Sequence, residues 1–209
     1  VTVAGGAFNN SLIFSLTIPA SVKIIEDEAL TASAISNISI DEGNTAYCCI
    51  DNALLTADTT KLVFYPQGYG YYGNSRYEVP YTVTSIGKYA FRNNQWWQSL
   101  TLPLRLQSID PTAFSAPPVD LVNYQPYLRI DTLYVQNDIP ITVDANIFSP
   151  FYERTVLYVP IGTSSVYSST YPWSQFQHIS TSILGYQDYA ILKAFYEEMG
   201  NGAGWRYNS

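Results

Sequence analysis

The sequence predicts a solenoid of short stacked coils, mostly strand and turn, with a narrow parallel sheet along one side. Three observations predict it. Segments 16–30 (LTIPASVKIIEDEAL), 77–91 (YEVPYTVTSIGKYAF) and 100–114 (LTLPLRLQSIDPTAF) align without a gap. They share apolar-x-apolar-Pro, an apolar seventh place, Ile at the tenth, and a closing Ala-Phe or Ala-Leu. Weaker copies extend the series: Ala7-Phe8 as the tail of one coil, Ile38-Ser39-Ile40 as a strand, Leu133-Tyr134-Val135 through Ile147-Phe148, and Leu157-Tyr158-Val159-Pro160. Finally, the spacing is 22 residues from Leu16 to Ile38, 23 from Tyr77 to Leu100 and 24 from Leu133 to Leu157.

A period in the twenties is a leucine-rich-repeat length, and it points to the α/β horseshoe class with about five to seven coils. In each triplet the two apolar side chains share one face of a short strand. Pro then removes a ladder donor and ends the strand. The later apolar positions turn inward. Asp110 and Pro111 read as N-cap and first residue of a short helical turn. One coil cannot bury its own Leu, Ile and Phe, so neighbours must stack.

Two longer steps, Ile38 to Tyr77 and Leu100 to Leu133, require insertions. The first, about residues 43–76, reads as a β-hairpin decorating the solenoid. Its strands run through Ala53-Leu54-Leu55 and Leu62-Val63-Phe64-Tyr65, with a polar turn at 58–61 and a stop at Pro66. A Gly- and Tyr-rich loop (QGYGYYGNSRY, 67–77) follows. Residues 115–132 fit no repeat. The tail is different again: Ile191, Leu192, Phe195, Tyr196 and Met199 fall at helical spacing, and Gly200 stops the helix. The repeat domain therefore spans 1–180, and 181–209 is a linker and helix.

Composition narrows the function. Charged residues are 13% of 209 and the formal net charge is −7. The ten basic residues are scattered singly, which excludes a counterion-releasing nucleic-acid surface and a polybasic membrane anchor. No apolar run reaches the roughly 18 residues that span a bilayer. The opening VTVAGG has no signal-peptide pattern, so the chain reads as a mature or excised segment. Cys48 and Cys49 are adjacent and read as one buried and one half-exposed thiol. No Cys/His spacing suits zinc and no oxygen-rich loop suits calcium.

Catalytic chemistry has no foothold. His178 is the only histidine and reads as a packing or surface residue. Glu26, Asp27 and Glu28, like Asp41 and Glu42, read as a solvated face. No nucleophile elbow, phosphate loop or dinucleotide fingerprint occurs. The expectation is a non-enzyme with no catalytic residue, no metal and no cofactor.

The segments VPYTVTSIGKYAF (79–91) and SLTLPLRLQSIDPTAF (99–114) resemble the BspA-like leucine-rich-repeat family of bacterial surface proteins. The hairpin DNALLTADTTKLVFYPQG (51–68) is similar to an insertion common between its repeats. LYVPIGTSSVYSSTYPWSQFQHI (157–179) is similar to its terminal repeat. The chain departs at Asn93-Asn94, where the family often has Cys. The tail 186–205 resembles the start of a second leucine-rich-repeat type. The resemblance implies a secreted or cell-surface protein that adheres to host proteins or glycans, and its motifs carry scaffold residues only.

The candidate binding residues come from the residues themselves. The middle residue of each triplet points away from the core: Thr17, Ser39, Glu78, Thr101, Tyr134 and Tyr158. Stacked coils line these into a mostly neutral strip. Tyr69, Tyr71 and Tyr72 form a second candidate, because exposed aromatic rings anchor partners at small entropic cost. The expected partner is an extracellular host protein or glycan. The alternative is a structural spacer in a larger surface protein. Uncapped coils at the ends predict self-association.

Overall fold

Each of the four prolines that follows a triplet begins a turn in the computed structural model, which describes residues 1–8, 11–31, 35–66, 76–92, 96–115 and 129–181. The carbonyls of Pro19, Pro80, Pro103 and Pro160 accept from the amides of Val22, Val83, Leu106 and Thr163 at 2.9–3.1 Å. A second turn precedes each closing pair: the amides of Ala29, Ala90 and Ala113 donate to Glu26, Gly87 and Asp110. Two turns per coil make a coil of two strands and a closing corner.

The chain begins with β1 (Thr2–Val3), β2 (Ser15–Ile18), β3 (Ile24–Ile25) and β4 (Asn37–Ile40). The insertion follows as β5 (Tyr47–Ile50), β6 (Ala53–Thr56) and β7 (Lys61–Phe64). Repeats resume with β8 (Arg76–Glu78), β9 (Ser85–Ile86), β10 (Trp96–Leu102), β11 (Ser108–Ile109), β12 (Arg129–Val135) and β13 (Val156–Val159). A helix, α1 (Ser164–Ser169), and β14 (His178–Thr181) close the described part.

The triplet strands stack in parallel, in register. β2 pairs with β4, and β8-β10-β12-β13-β14 form a five-stranded sheet. The strands at the Ile of tenth place make the other side of the coil: β1 pairs with β3, and β11-β9-β7 continue into β6 and β5. Template positions are core positions. Tyr77, Val79, Val83, Ile86, Ala90 and Phe91 are all buried, as are Leu100, Leu102, Leu106, Ile109, Ala113 and Phe114. The closing rings form a column, with Phe91–Phe114 centroids 5.1 Å apart, Phe114–Phe148 5.7 Å and Phe148–Trp173 5.0 Å. The degenerate copy carries one extra residue before its closing turn, and Ile139, in its seventh place, is 77% exposed.

The horseshoe expectation is overturned. The molecule is a β-solenoid of mixed parallel and antiparallel sheets, and the only α-helix among the described residues is the six-residue α1. The closing corner is too tight for a helix. Glu28 and Tyr89, at equivalent places in it, have φ of 65° and 56°, a left-handed geometry that no right-handed helix contains. Nor is 110–114 helical. Asp110 Oδ1 accepts from the Thr112 amide at 2.8 Å and hydroxyl at 2.6 Å, which caps a turn instead. The tail helix, the 67–75 loop and most of 115–132 lie outside the described residues.

The insertion is a three-stranded meander rather than a decoration, and it divides the interior. Leu54 and Phe64 pack with Ile18, Val22, Leu30 and Ile38 on its N-terminal side. Ala53, Leu55, Leu62 and Tyr65 pack with the core of the later coils on the other. Ala53, Leu54, Leu55 and Leu62 are wholly buried, so the sheet has no solvent face at its centre. The parallel triplet sheet is therefore two sheets: Leu16 pairs with Ile38, whereas Tyr77 pairs with Leu100. β7 doubles as a coil strand, with Leu62 in register with Ile86. The Gly87 amide donates to Leu62 O at 2.8 Å, and a Cβ on Gly87 would lie 3.0 Å from that oxygen.

Successive residues of β5 face opposite cores, which settles the cysteines. Cys49 packs toward the N-terminal core and Cys48 toward the other. Both are free and half-buried, not one buried and one half-exposed. Burial pushes both thiols up, with Asp58 adding to Cys48, so neither offers a thiolate near neutral pH.

Asp51 and Asn52, with φ of 48° and 66°, make the two-residue turn that joins paired Ile50 and Ala53. Two positive φ values match the twist of a tight hairpin. Asn52 also caps the edge of β4. Its Oδ1 accepts from the Ile38 amide and its Nδ2 donates to Ser36 O, both at 2.8 Å. Asn52→Gly keeps the turn and removes both bonds, for a loss of about 1–3 kcal/mol. Asn52→Ala adds a left-handed penalty of about 1 kcal/mol. Urea midpoints should rank wild type, glycine, alanine; a glycine variant as stable as wild type would show the cap to be idle.

Buried tyrosines set a second expectation. Burial holds Tyr77 and Tyr167 well above the ordinary phenol range. It also pushes Tyr152 up to about 12, with Tyr171 and Asp144 adding to the effect. Below the reference value of 10.0 neither folded nor unfolded chain ionises these groups. Between there and about 12 the unfolded chain loses the Tyr152 proton while the folded chain keeps it, so stability falls as pH rises. Tyrosinate absorbance should rise in two steps, the later one coinciding with loss of the β circular-dichroism signal. A single step near 10 with an unchanged fold would contradict this.

Candidate binding face

The outward residues of the five-stranded sheet fall into two rows, because register is kept from strand to strand. Glu78, Thr101, Tyr134 and Tyr158 are successive Cα partners, and Ser180 continues the row. Two residues earlier on each strand, Arg76, Ser99, Thr132, Val156 and His178 make a parallel row. Four of the six strip residues are thus brought together. Thr17 and Ser39 are not: they pair in the separate β2–β4 sheet, where the meander cuts them off.

Exposure is uneven. Thr17, Ser39 and Glu78 are exposed, Tyr134 and Tyr158 are half-buried, and Thr101 is only 2% exposed between Glu78 and Tyr134. An outward residue on a strand is shielded when its cross-strand neighbours are larger than it is. The Tyr134 and Tyr158 rings stack at 4.7 Å with planes 13° apart. Each uses one ring face on the other. Tyr158 therefore meets the small Ser180 on its remaining side.

Hydroxyls elsewhere are partly satisfied within the protein. Thr17 Oγ1 and Ser39 Oγ lie 2.8 Å apart, and Thr132 Oγ1 donates to Gln98 O at 2.8 Å. Arg129 Nε sits 2.7 Å from Asp131 Oδ1 beside the rows. His178 is exposed on β14. The candidate loop residues Tyr69, Tyr71 and Tyr72 lie outside the described residues.

The acidic run is not a free carboxylate cluster. Asp27 pairs with Lys88 at 3.6 Å, Glu28 with Arg92 at 3.8 Å, and Glu26 Oε2 accepts from the Gly5 amide at 2.9 Å. The two ion pairs bridge the coils on either side of the meander, and the acidic run borders a cleft of about 110 Å³. Among the described residues no three His, Cys, Asp or Glu side chains form a group that could hold a metal ion. No helix among them is long and apolar enough to cross a membrane.

Sequence reasoning missed the second row and Ser180. The signal was present: alternation extends two residues ahead of each triplet centre, so Ser99 and Thr132 share a face with Thr101 and Tyr134.

Comparison with known proteins agrees with the repeat fold. A family model described as "BspA type Leucine rich repeat region" matches in six copies over residues 1–61 and 69–129. The comparison with curated proteins gave no match. A solved leucine-rich repeat protein from Eubacterium ventriosum is 18% identical, with a TM-score of 0.52 over 76% of this chain and 46% of that one. A leucine rich cell surface protein from Faecalibacterium prausnitzii is 19% identical, with a TM-score of 0.52 over 91% of this chain and 59% of that one. At these identities the likeness is one of fold. The chain spans about half the length of the solved proteins it matches.

If the tyrosine pair is a real feature of the face, a double-mutant cycle with Tyr134→Ala and Tyr158→Ala should return a coupling of about 0.5–1.5 kcal/mol. Additive single losses would mean that the rings do not stack in solution.

Proposed function

The chain belongs to the family of BspA type leucine rich repeat regions, and from that premise we propose that it is a non-catalytic binding module of a secreted or bacterial cell-surface protein. It acts in the manner of an adhesin, toward an extracellular host protein or glycan. The observation that carries this reading is the in-register row from Glu78 to Ser180 on one sheet face, with Tyr134 and Tyr158 stacked at its centre. Stacked coils convert one position of the repeat into a continuous surface, and solenoids bind through such surfaces. The aromatic centre and mixed polar surroundings suit recognition. Surface display is supported by the likeness in fold to the leucine rich cell surface protein of Faecalibacterium prausnitzii.

A spacer is the second reading, favoured by the meander, whose central residues Ala53, Leu54, Leu55 and Leu62 are wholly buried between the coils before and after it. The two readings separate on a matrix-protein and glycan array, run with wild type and Tyr158→Ala. A binding module should give at least one signal that the variant weakens tenfold or more, about 1.4 kcal/mol. A silent array, or equal signals from both proteins, would leave the spacer reading. Protease shaving of intact cells should release this segment if it is displayed; retention inside would remove the surface assignment. Light scattering tests the expected self-association through the coil ends, with a concentration-independent monomer mass counting against it.

A further inference from the structure

The dimensions of the face select the kind of ligand. From Glu78 to Ser180 there are four strand-to-strand steps, which at about 4.8 Å each make a row about 19 Å long. The second row lies two residues away along the strands, about 7 Å. The paired rows are thus nearly three times as long as they are wide, a shape that suits a narrow, extended occupant.

Charge then selects its chemistry. Arg76 and Glu78 stand together on β8 at one end of the rows, and Arg129 is paired with Asp131. Between β8 and the exposed His178, the rows present Ser99, Thr132, Tyr134, Val156 and Tyr158, with Thr101 shielded among them, and none of these side chains is a carboxylate, an amine or a guanidinium. A polyanion or polycation would find no net countercharge there. A ligand with many neutral hydroxyls and apolar ring faces meets its complement in the Ser180 hydroxyl and in the Tyr158 ring beside it. Strand spacing adds a third match. A chain of β-linked hexoses advances per sugar by nearly the distance between adjacent strands, so a chain laid across the strands keeps step with them.

We propose that this face binds a neutral, linear oligosaccharide of about four sugars, laid across the strands from Glu78 toward Ser180, with one sugar ring seated against Tyr158. The inference rests on the binding-module reading and names its ligand class. Isothermal calorimetry with a panel of neutral tetrasaccharides (cellotetraose, chitotetraose, laminaritetraose and mannotetraose) tests it. At least one should bind, and a heparin tetrasaccharide should not. Tyr158→Ala should weaken binding tenfold or more. Ser180→Glu, which crowds the seat and brings a charge to it without removing the ring, should do the same, and melting curves confirm that each variant is folded. No binding by any neutral tetrasaccharide, or unchanged binding in both variants, overturns the proposal. If a purified matrix protein binds and Tyr158→Ala abolishes it while the sugars fail, the binding-module reading survives and the sugar assignment falls.

Discussion

Everything in this molecule depends on the inability of a single coil to bury its own apolar side chains. Each coil holds about six core residues on a backbone that doubles back through two turns. Only the coil above and the coil below remove those residues from water. That demand imposes strict register, because a shift of one residue would turn Leu100 and Leu102 outward and Thr101 inward. Register in turn aligns everything on the opposite face. The candidate face is thus a by-product of core packing, and its residues sit where they do because Leu, Val and Phe have no other place to go.

The meander obeys the same demand by a different route. An ordinary inserted hairpin would have one wet face. Here Leu54 and Leu55 are consecutive and both wholly buried, which is possible only if apolar material lies on both sides. The N-terminal coils and the later coils supply it. The exposed edge of β4 then needs partners for its backbone, and Asn52 provides them with a side-chain amide that imitates a neighbouring strand. The ion pairs of Asp27 with Lys88 and Glu28 with Arg92 span the same junction from outside.

The repeat was readable because its six restricted positions are the buried ones, so pattern and packing coincide. The strip was readable for four of its residues for the same reason. The horseshoe assignment failed because period alone does not say what occupies the third side of the coil. The left-handed backbone at Glu28 and Tyr89 decides it, and neither residue type advertises that conformation. The double-sided burial of the meander was visible in Ala53-Leu54-Leu55 as an unbroken apolar run, but a run of that length also fits an ordinary strand. The burial of Thr101 depends on the size of cross-strand neighbours, which no single segment reveals.

The partition has a consequence for how such chains change over generations. Coils before the meander rest on one of its faces and coils after it rest on the other, so a duplication or deletion on one flank leaves the ladder on the other untouched. The partition would act as a fixed bulkhead, and the number of rungs on the far side, hence the length of the row beyond Glu78, could drift without disturbing the near side.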